Sequence, residues 1–158
     1  MRFSERIHIF LQFCISTNIF TRKLDNWRLD LHVRNDQKDF AANSITLLAR
    51  AYAYRNSGSR ALIIYNEDIP IGMALYYYID GAYDFSQFFI DERYQGNGFG
   101  YEAAGHVLRE MQKDGVYNRV VLCYIEGNEA AKQLYLKLGF NHTGETDGNE
   151  IIMEKKLR

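Results

Sequence analysis

Proline is nearly missing from this chain, with a single residue at position 70, and cysteine supplies only Cys14 and Cys123. The first scarcity excludes collagen-like and proline-rich architectures; the second excludes a disulfide scaffold or a zinc knuckle. Free thiols in a reducing, cytoplasmic setting are expected. Neither sign of charge prevails, since 19 Lys and Arg stand against 20 Asp and Glu. That balance provides no field to hold a phosphate backbone, so nucleic acid is not an expected partner. Long apolar runs are lacking too. Residues 7–15 follow a basic start (Arg2, Arg6) but are too short to span a bilayer. His8, Gln12 and the lack of a small-residue cleavage pattern argue against a secretory leader. No membrane partner is expected.

Apolar residues are plentiful, at 47%, and 158 residues suffice for one domain with its own core. Aromatics reach 15%, more than a core of this size needs, so some are expected to line a site. Residues 1–16 read as an N-terminal extension of unknown role, and 17–158 as the domain. Within the extension, Ile7, Ile9 and Leu11 alternate, which fits either an extra strand or a mobile terminus.

Periodicity predicts the order β-α-α-β-β-β-α-β-α-β-β, an α+β domain with a mixed, mostly antiparallel sheet flanked by helices. A strand over 18–24 precedes a short helix opened by Asp25 and carrying Trp27, Leu29, Leu31 and Val33. A second helix carries Phe40, Ala41, Ile45, Leu48, Ala51 and Tyr52. Strands at 61–65 and 71–78 flank a turn at 66–70, and another strand, 83–90, follows Asp80-Gly81. Ala103, Ala104, Val107, Leu108 and Met111 repeat helically until Asp114-Gly115. After a strand at 119–125, a helix runs from Asn128 to Gly139, and strands at 140–145 and 150–157 surround Asp147-Gly148.

The chemistry concentrates in Gln95, Gly96, Asn97, Gly98, Phe99 and Gly100, between a strand and a helix. Glycines there let consecutive amides turn toward one point, and the helix adds its positive dipole end, so an anion would be held without lysine. The spacing is neither a P-loop nor a Rossmann fingerprint. One helix and one strand later come Asn128, Ala130, Ala131, Leu134, Tyr135, Gly139 and Phe140. With Gln95, Gly98 and Gly100 placed as Gln-x-x-Gly-x-Gly, the chain here resembles the GNAT N-acetyltransferase family. Residues 88–95, Asp25-Asn26-Trp27 and 36–40 look most like its bacterial spermine/spermidine (diamine) acetyltransferases.

The resemblance implies acetyl-CoA as co-substrate, no metal, and a small-molecule primary amine such as spermine or spermidine as acceptor. The pyrophosphate would rest on the amides of residues 95–100. The pantetheine arm would add as a strand to Phe88, Phe89 and Ile90, with Asn128 and Ala131 also at the cofactor. Asn128 equally suits a helix cap. In the family the amine attacks the thioester directly, and Tyr135 is the candidate general acid for the departing sulfur. Plain core packing is the other account of that tyrosine.

The base is less defined. Polyamine acetyltransferases often carry an acid where this chain has Ser86 and Gln87, so Asp84, on one strand face with Ser86, becomes the candidate, ahead of Asp80, Glu67 and Glu92. Tyr76-Tyr77-Tyr78 with Asp80, Tyr83, Asp36 and Asp39 could bind a cationic amine, with Tyr78, Asp80, Tyr83, Asp36 and Asp39 as the substrate-binding set. His8, His32, His106 and His142 show no metal spacing, and Cys123 reads as a core thiol. A sheet edge at 150–157 could support a homodimer. Acetylation of another small amine or a peptide N-terminus, or a non-catalytic acyl-CoA sensor, are the alternatives.

Overall fold

The computed structural model describes residues 7–10 and 30–157. The predicted strand at 18–24 and the predicted helix start at Asp25 lie outside them. Seven strands are present among the described residues: β1 (Ile7–Phe10), β2 (Arg60–Asn66), β3 (Ile69–Ile79), β4 (Ala82–Ile90), β5 (Arg119–Ile125), β6 (Asn141–Asp147) and β7 (Glu150–Lys156). They form one sheet in the order β1-β2-β3-β4-β5-β7-β6, antiparallel except for the β4–β5 pair. Ile7–Phe10 thus extends the sheet as a strand paired with β2.

Helix α1 (Ser44–Ala53) covers one face, where Leu47 and Ala51 pack with Met73, Leu75, Tyr77 and Phe89. Helices α2 (Phe99–Asp114) and α3 (Glu129–Lys137) cover the other, where Val107, Met111 and Tyr135 join Tyr83, Leu122 and Met153. Apolar burial on both faces is the main stabilising term, at roughly 1.5–3 kcal/mol for each large side chain removed from water.

Local chemistry moves several boundaries away from the sequence expectation. Helix α1 starts at Ser44, not near Phe40, because the Asn43 side chain accepts from the Thr46 amide at 2.9 Å and caps it. Residues 30–34, expected as the end of a helix, are not helical. The His32 amide donates to Asp91, and its carbonyl accepts from the Glu92 amide, which occupies the groups a helix would need. Pro70 lies inside β3 and not in the turn, opposite Tyr65 where the register shifts, a place that tolerates a missing N–H donor. Strand β7 is not a sheet edge, because it inserts between β5 and β6 and leaves β6 outermost.

Two irregularities open the site. Pairing between β4 and β5 is limited to Tyr83 with Val120 and Asp84 with Val121, after which the strands diverge. In β4, register runs from Leu75 opposite Gln87 to Tyr77 opposite Asp84, so Phe85 and Ser86 together face Tyr76. This bulge shifts the alternation of side chains. Phe85 and Phe88 both reach the α2–α3 face, with ring centroids 5.6 Å apart. Ser86 and Gln87 both make hydrogen bonds on the α1 side, to Arg50 and to the Ala42 amide.

Candidate active site

Where β4 and β5 part, a cavity of about 670 Å³ is lined by residues from both faces of the sheet. Its strand walls are 85–90 and 123–125. Beyond the last β4–β5 pair, the strand edges facing each other across the gap have no sheet partner among the described residues, so an extended ligand could hydrogen-bond there.

At one end stands the glycine loop. Gly96 and Gly98 adopt left-handed φ values of +78° and +83°, which glycine reaches without a side-chain penalty. Open space lies where a Cβ of either would stand. Gly98 is the N-cap of α2, whose first turn presents its positive dipole end. The Gln95 amide Nε2 donates to Ile90 O and to Gln37 Oε1, both at 2.8 Å, and so fixes the loop to β4 and to the short turn Asn35–Gln37. Asn97 donates to the carbonyls of Tyr94 and Gln95. Arg34, Gln37 and Lys38 line the cavity with Gln95, Gly96 and Gly100. Asn97, Gly98 and Phe99 flank it. This end is suited to an anion.

Helix α3 supplies the side wall. Asn128 Oδ1 accepts from the Ala131 amide at 3.1 Å, so its side chain caps the helix, while Asn128 and Ala131 both line the cavity. Tyr135, on the same wall, is buried, with its ring edge-on to Phe140. Burial, with Cys123 nearby, pushes its phenol well up, which keeps it protonated and able to donate.

A polar cluster closes the other end on the α1 side. Arg50 Nη1 donates to Ser86 Oγ at 3.3 Å, and Cys123 Sγ donates to Glu150 Oε2 at 3.2 Å. Arg50, Ser86, Cys123 and Glu150 line the cavity; Asp84 stands behind Ser86, outside the lining. Desolvation raises the Asp84 carboxyl, a Tyr77 hydrogen bond and Arg50 lower it, and Glu150 raises it, leaving it at about 6. Tyr77, opposite Asp84, is pushed up to about 12 chiefly by burial. Cys123 is no core thiol: it is exposed to the cavity, and desolvation, the Glu150 bond and the Asp84 charge hold it at about 12, a poor nucleophile.

Several expected substrate residues are elsewhere. Tyr78 and Tyr83 donate to Asp114 Oδ2 at 2.8 and 2.9 Å, beside the Arg60–Asp114 ion pair and away from the cavity. Asp80 sits in the β3–β4 turn with a φ of +47°. Asp36 is bound by Nε and Nη2 of Arg34 and does not line the cavity, whereas Asp39 does. Arg50, Glu150 and Gln37 were not expected as site residues from sequence, and Tyr77 was expected only within the tyrosine run that could bind a cationic amine. Their roles depend on contacts between distant segments.

The acetyltransferase (GNAT) family model matches residues 22–140. The chain is 31% identical over 141 residues to spermine/spermidine N(1)-acetyltransferase of Bacillus subtilis (strain 168), an alignment covering 82% of this chain and 90% of that one. A GNAT family acetyltransferase from Elizabethkingia anophelis, solved with acetyl-CoA bound, superposes with a TM-score of 0.66 at 17% identity, covering 97% of this chain and 99% of that one. The PaiA N-acetyltransferase of Thermoplasma acidophilum in complex with coenzyme A gives a TM-score of 0.60 at 22% identity and 72% coverage of each chain.

Proposed function

The chain belongs to the acetyltransferase (GNAT) family, and from that premise we propose that it transfers the acetyl group of acetyl-CoA to a primary amine of a polyamine such as spermine or spermidine. One observation carries this reading: a cavity in the β4–β5 gap with a glycine loop suited to an anion at one end and the Glu150 carboxylate at the other, where Asp84 stands outside the lining. The relative named for spermine and spermidine supports the acceptor class.

Acetyl-CoA supplies the thioester, and the remaining work falls to the chain. The amides of residues 95–100 hold the pyrophosphate, with Lys38 and Arg34 close by. The free edge at Phe88, Phe89 and Ile90 pairs with the pantetheine amides. Tyr135 donates a proton to the departing sulfur, whose thiol has an ordinary pKa of about 8.5 by analogy with cysteine. Asp84 is the base. An alkylammonium titrates near 10.4, so raising the carboxyl to about 6 narrows the transfer by about two units, or roughly 3 kcal/mol. Asp84 and Glu150 face one arginine at this end, and that excess negative charge suits an ammonium.

A second reading is an acceptor bearing a carboxylate near its amine, such as an amino acid or a peptide N-terminus. Arg50 favours it, since its guanidinium lines the cavity with one hydrogen bond, to Ser86, among the described residues. CoA release from acetyl-CoA, measured with spermine, spermidine, putrescine, an aminoglycoside, amino acids and a short peptide, separates the two. Saturable release with polyamines alone supports the first reading, and release only with the carboxylate-bearing amines supports the second.

A further inference from the structure

The base of the proposed reaction does not touch the cavity. Asp84 stands behind Ser86, and nothing assigned so far connects it to an amine at the cavity wall. The strand geometry supplies a connection. Tyr77 and Asp84 are directly opposed across the β3–β4 pair, so their side chains lie together on the α1 face. Strand alternation and the bond from Arg50 place Ser86 on that same face. Tyr77 is buried, and its ring is fixed by parallel stacking on Tyr54, with centroids 4.0 Å apart and planes within 2°.

We propose that the Tyr77 hydroxyl relays the acceptor's proton from Ser86 at the cavity wall to Asp84 behind it. The proposal rests on Asp84 being the base. The two neighbours bear on the Tyr77 phenol in the required sense. Ser86 favours the phenolate form of Tyr77, as a donor to its oxygen does, and Asp84 disfavours it, as an acceptor of its proton does. Arg50 donates to Ser86 Oγ and orients it. A hydroxyl oxygen has two lone pairs, so Ser86 can still accept from an acceptor N–H.

The step balances without another reactant. One N–H bond of the ammonium breaks as Ser86 Oγ takes that proton. Ser86 passes its own proton to Tyr77 Oη, and Tyr77 passes its own to the Asp84 carboxylate. A neutral amine and a protonated Asp84 result, with both hydroxyls unchanged. The groups facing Asp84 are Tyr77 from β3, Arg50 from α1, Cys123 from β5 and Glu150 from β7, with Ser86 on its own strand. Of these, Tyr77 is directly opposite Asp84 and shares the α1 face with Ser86.

The test is steady-state CoA release from acetyl-CoA between pH 5.5 and 9, with spermine as amine probe and the wider amine panel behind it. Wild type is compared with Tyr77→Phe, Ser86→Ala, Ser86→Thr and Asp84→Asn, each checked for folding by circular dichroism. Tyr77→Phe keeps the stacked ring and removes only the hydroxyl. Tyr77→Phe and Ser86→Ala should each lower kcat about 100-fold and lose the rise in rate through pH 6, with KM for acetyl-CoA unmoved. Ser86→Thr, which keeps a hydroxyl, should stay within about tenfold of wild type. Wild-type kcat and pH profile in Tyr77→Phe, beside a crippled Asp84→Asn, would overturn the relay and leave Asp84 as base. Should Tyr77→Phe not fold, an unaltered Ser86→Ala overturns the relay in the same way. A fully active Asp84→Asn, or no CoA release with any amine, overturns the parent reading and the relay with it.

Discussion

The backbone amide of His32 donates to Asp91 Oδ2 at 2.9 Å, across 59 positions of sequence. Asp91 is fully buried, and its carboxylate also accepts from the Arg93 amide and from Arg93 Nε and Nη2. Burial alone would raise this carboxyl, but the Arg93 and His32 bonds outweigh it and hold it below the ordinary carboxylate range.

A depressed carboxyl contributes stability that is present above the unfolded pKa of about 3.9 and is lost as pH falls through the lower folded value. Asp91→Asn should therefore cost about 2 to 4 kcal/mol at pH 7 and flatten the loss of stability below pH 4. Denaturant titrations of both proteins at several pH values measure it. An unchanged acid limb would remove Asp91 from that role.

Asp84 has the opposite sign. Its carboxyl is raised to about 6, so the charged form is disfavoured in the fold and this group's destabilising effect grows as pH rises from about 4 to 6. Asp84→Asn should raise the unfolding free energy at pH 7.5, by no more than about 3 kcal/mol, while nearly abolishing turnover. In wild type, kcat/KM should rise with pH through 6. A flat profile between pH 5 and 7 would exclude Asp84 as the base.

Tyr135→Phe removes one hydroxyl from the wall of the cavity and leaves the ring against Phe140. Turnover should fall about 100-fold, with the dissociation constant for acetyl-CoA moving less than about threefold. Calorimetric titration beside steady-state rates separates the two effects, and an unchanged kcat would return Tyr135 to simple packing.

Tyr78→Phe and Tyr83→Phe should each cost about 1 to 2 kcal/mol of stability, since each removes a donor from the partly buried Asp114 carboxylate. Their kcat and KM for the amine should match wild type. A raised KM with unchanged melting would put them back at the acceptor.

What could be read in advance depended on range. The glycine loop and the Asn128 cap are local devices, in which backbone conformation and the nearest amides decide the outcome, and the α2 and α3 segments follow from them. The tyrosine run was harder. Tyr76, Tyr77 and Tyr78 have one composition but different surroundings: Tyr77 reaches Asp84, whereas Tyr78 is bound by Asp114, 36 positions away. The β4 bulge, which puts Gln87 on the Arg50 side beside Ser86, has no glycine or proline to announce it. Glu150 joins the site only because β7 inserts beside β5, an ordering that strand patterns do not encode.

The seam between β4 and β5 has a mechanical consequence. Among the described residues, two residue pairs join the N-terminal and C-terminal halves of the sheet, and a shared core beneath packs against both. Val107, Met111 and Val120 lie in that core with no exposure and do not line the cavity, so a change in their volume should alter how the halves meet. The gape of the cleft thus depends on core positions that lie outside the cavity's lining.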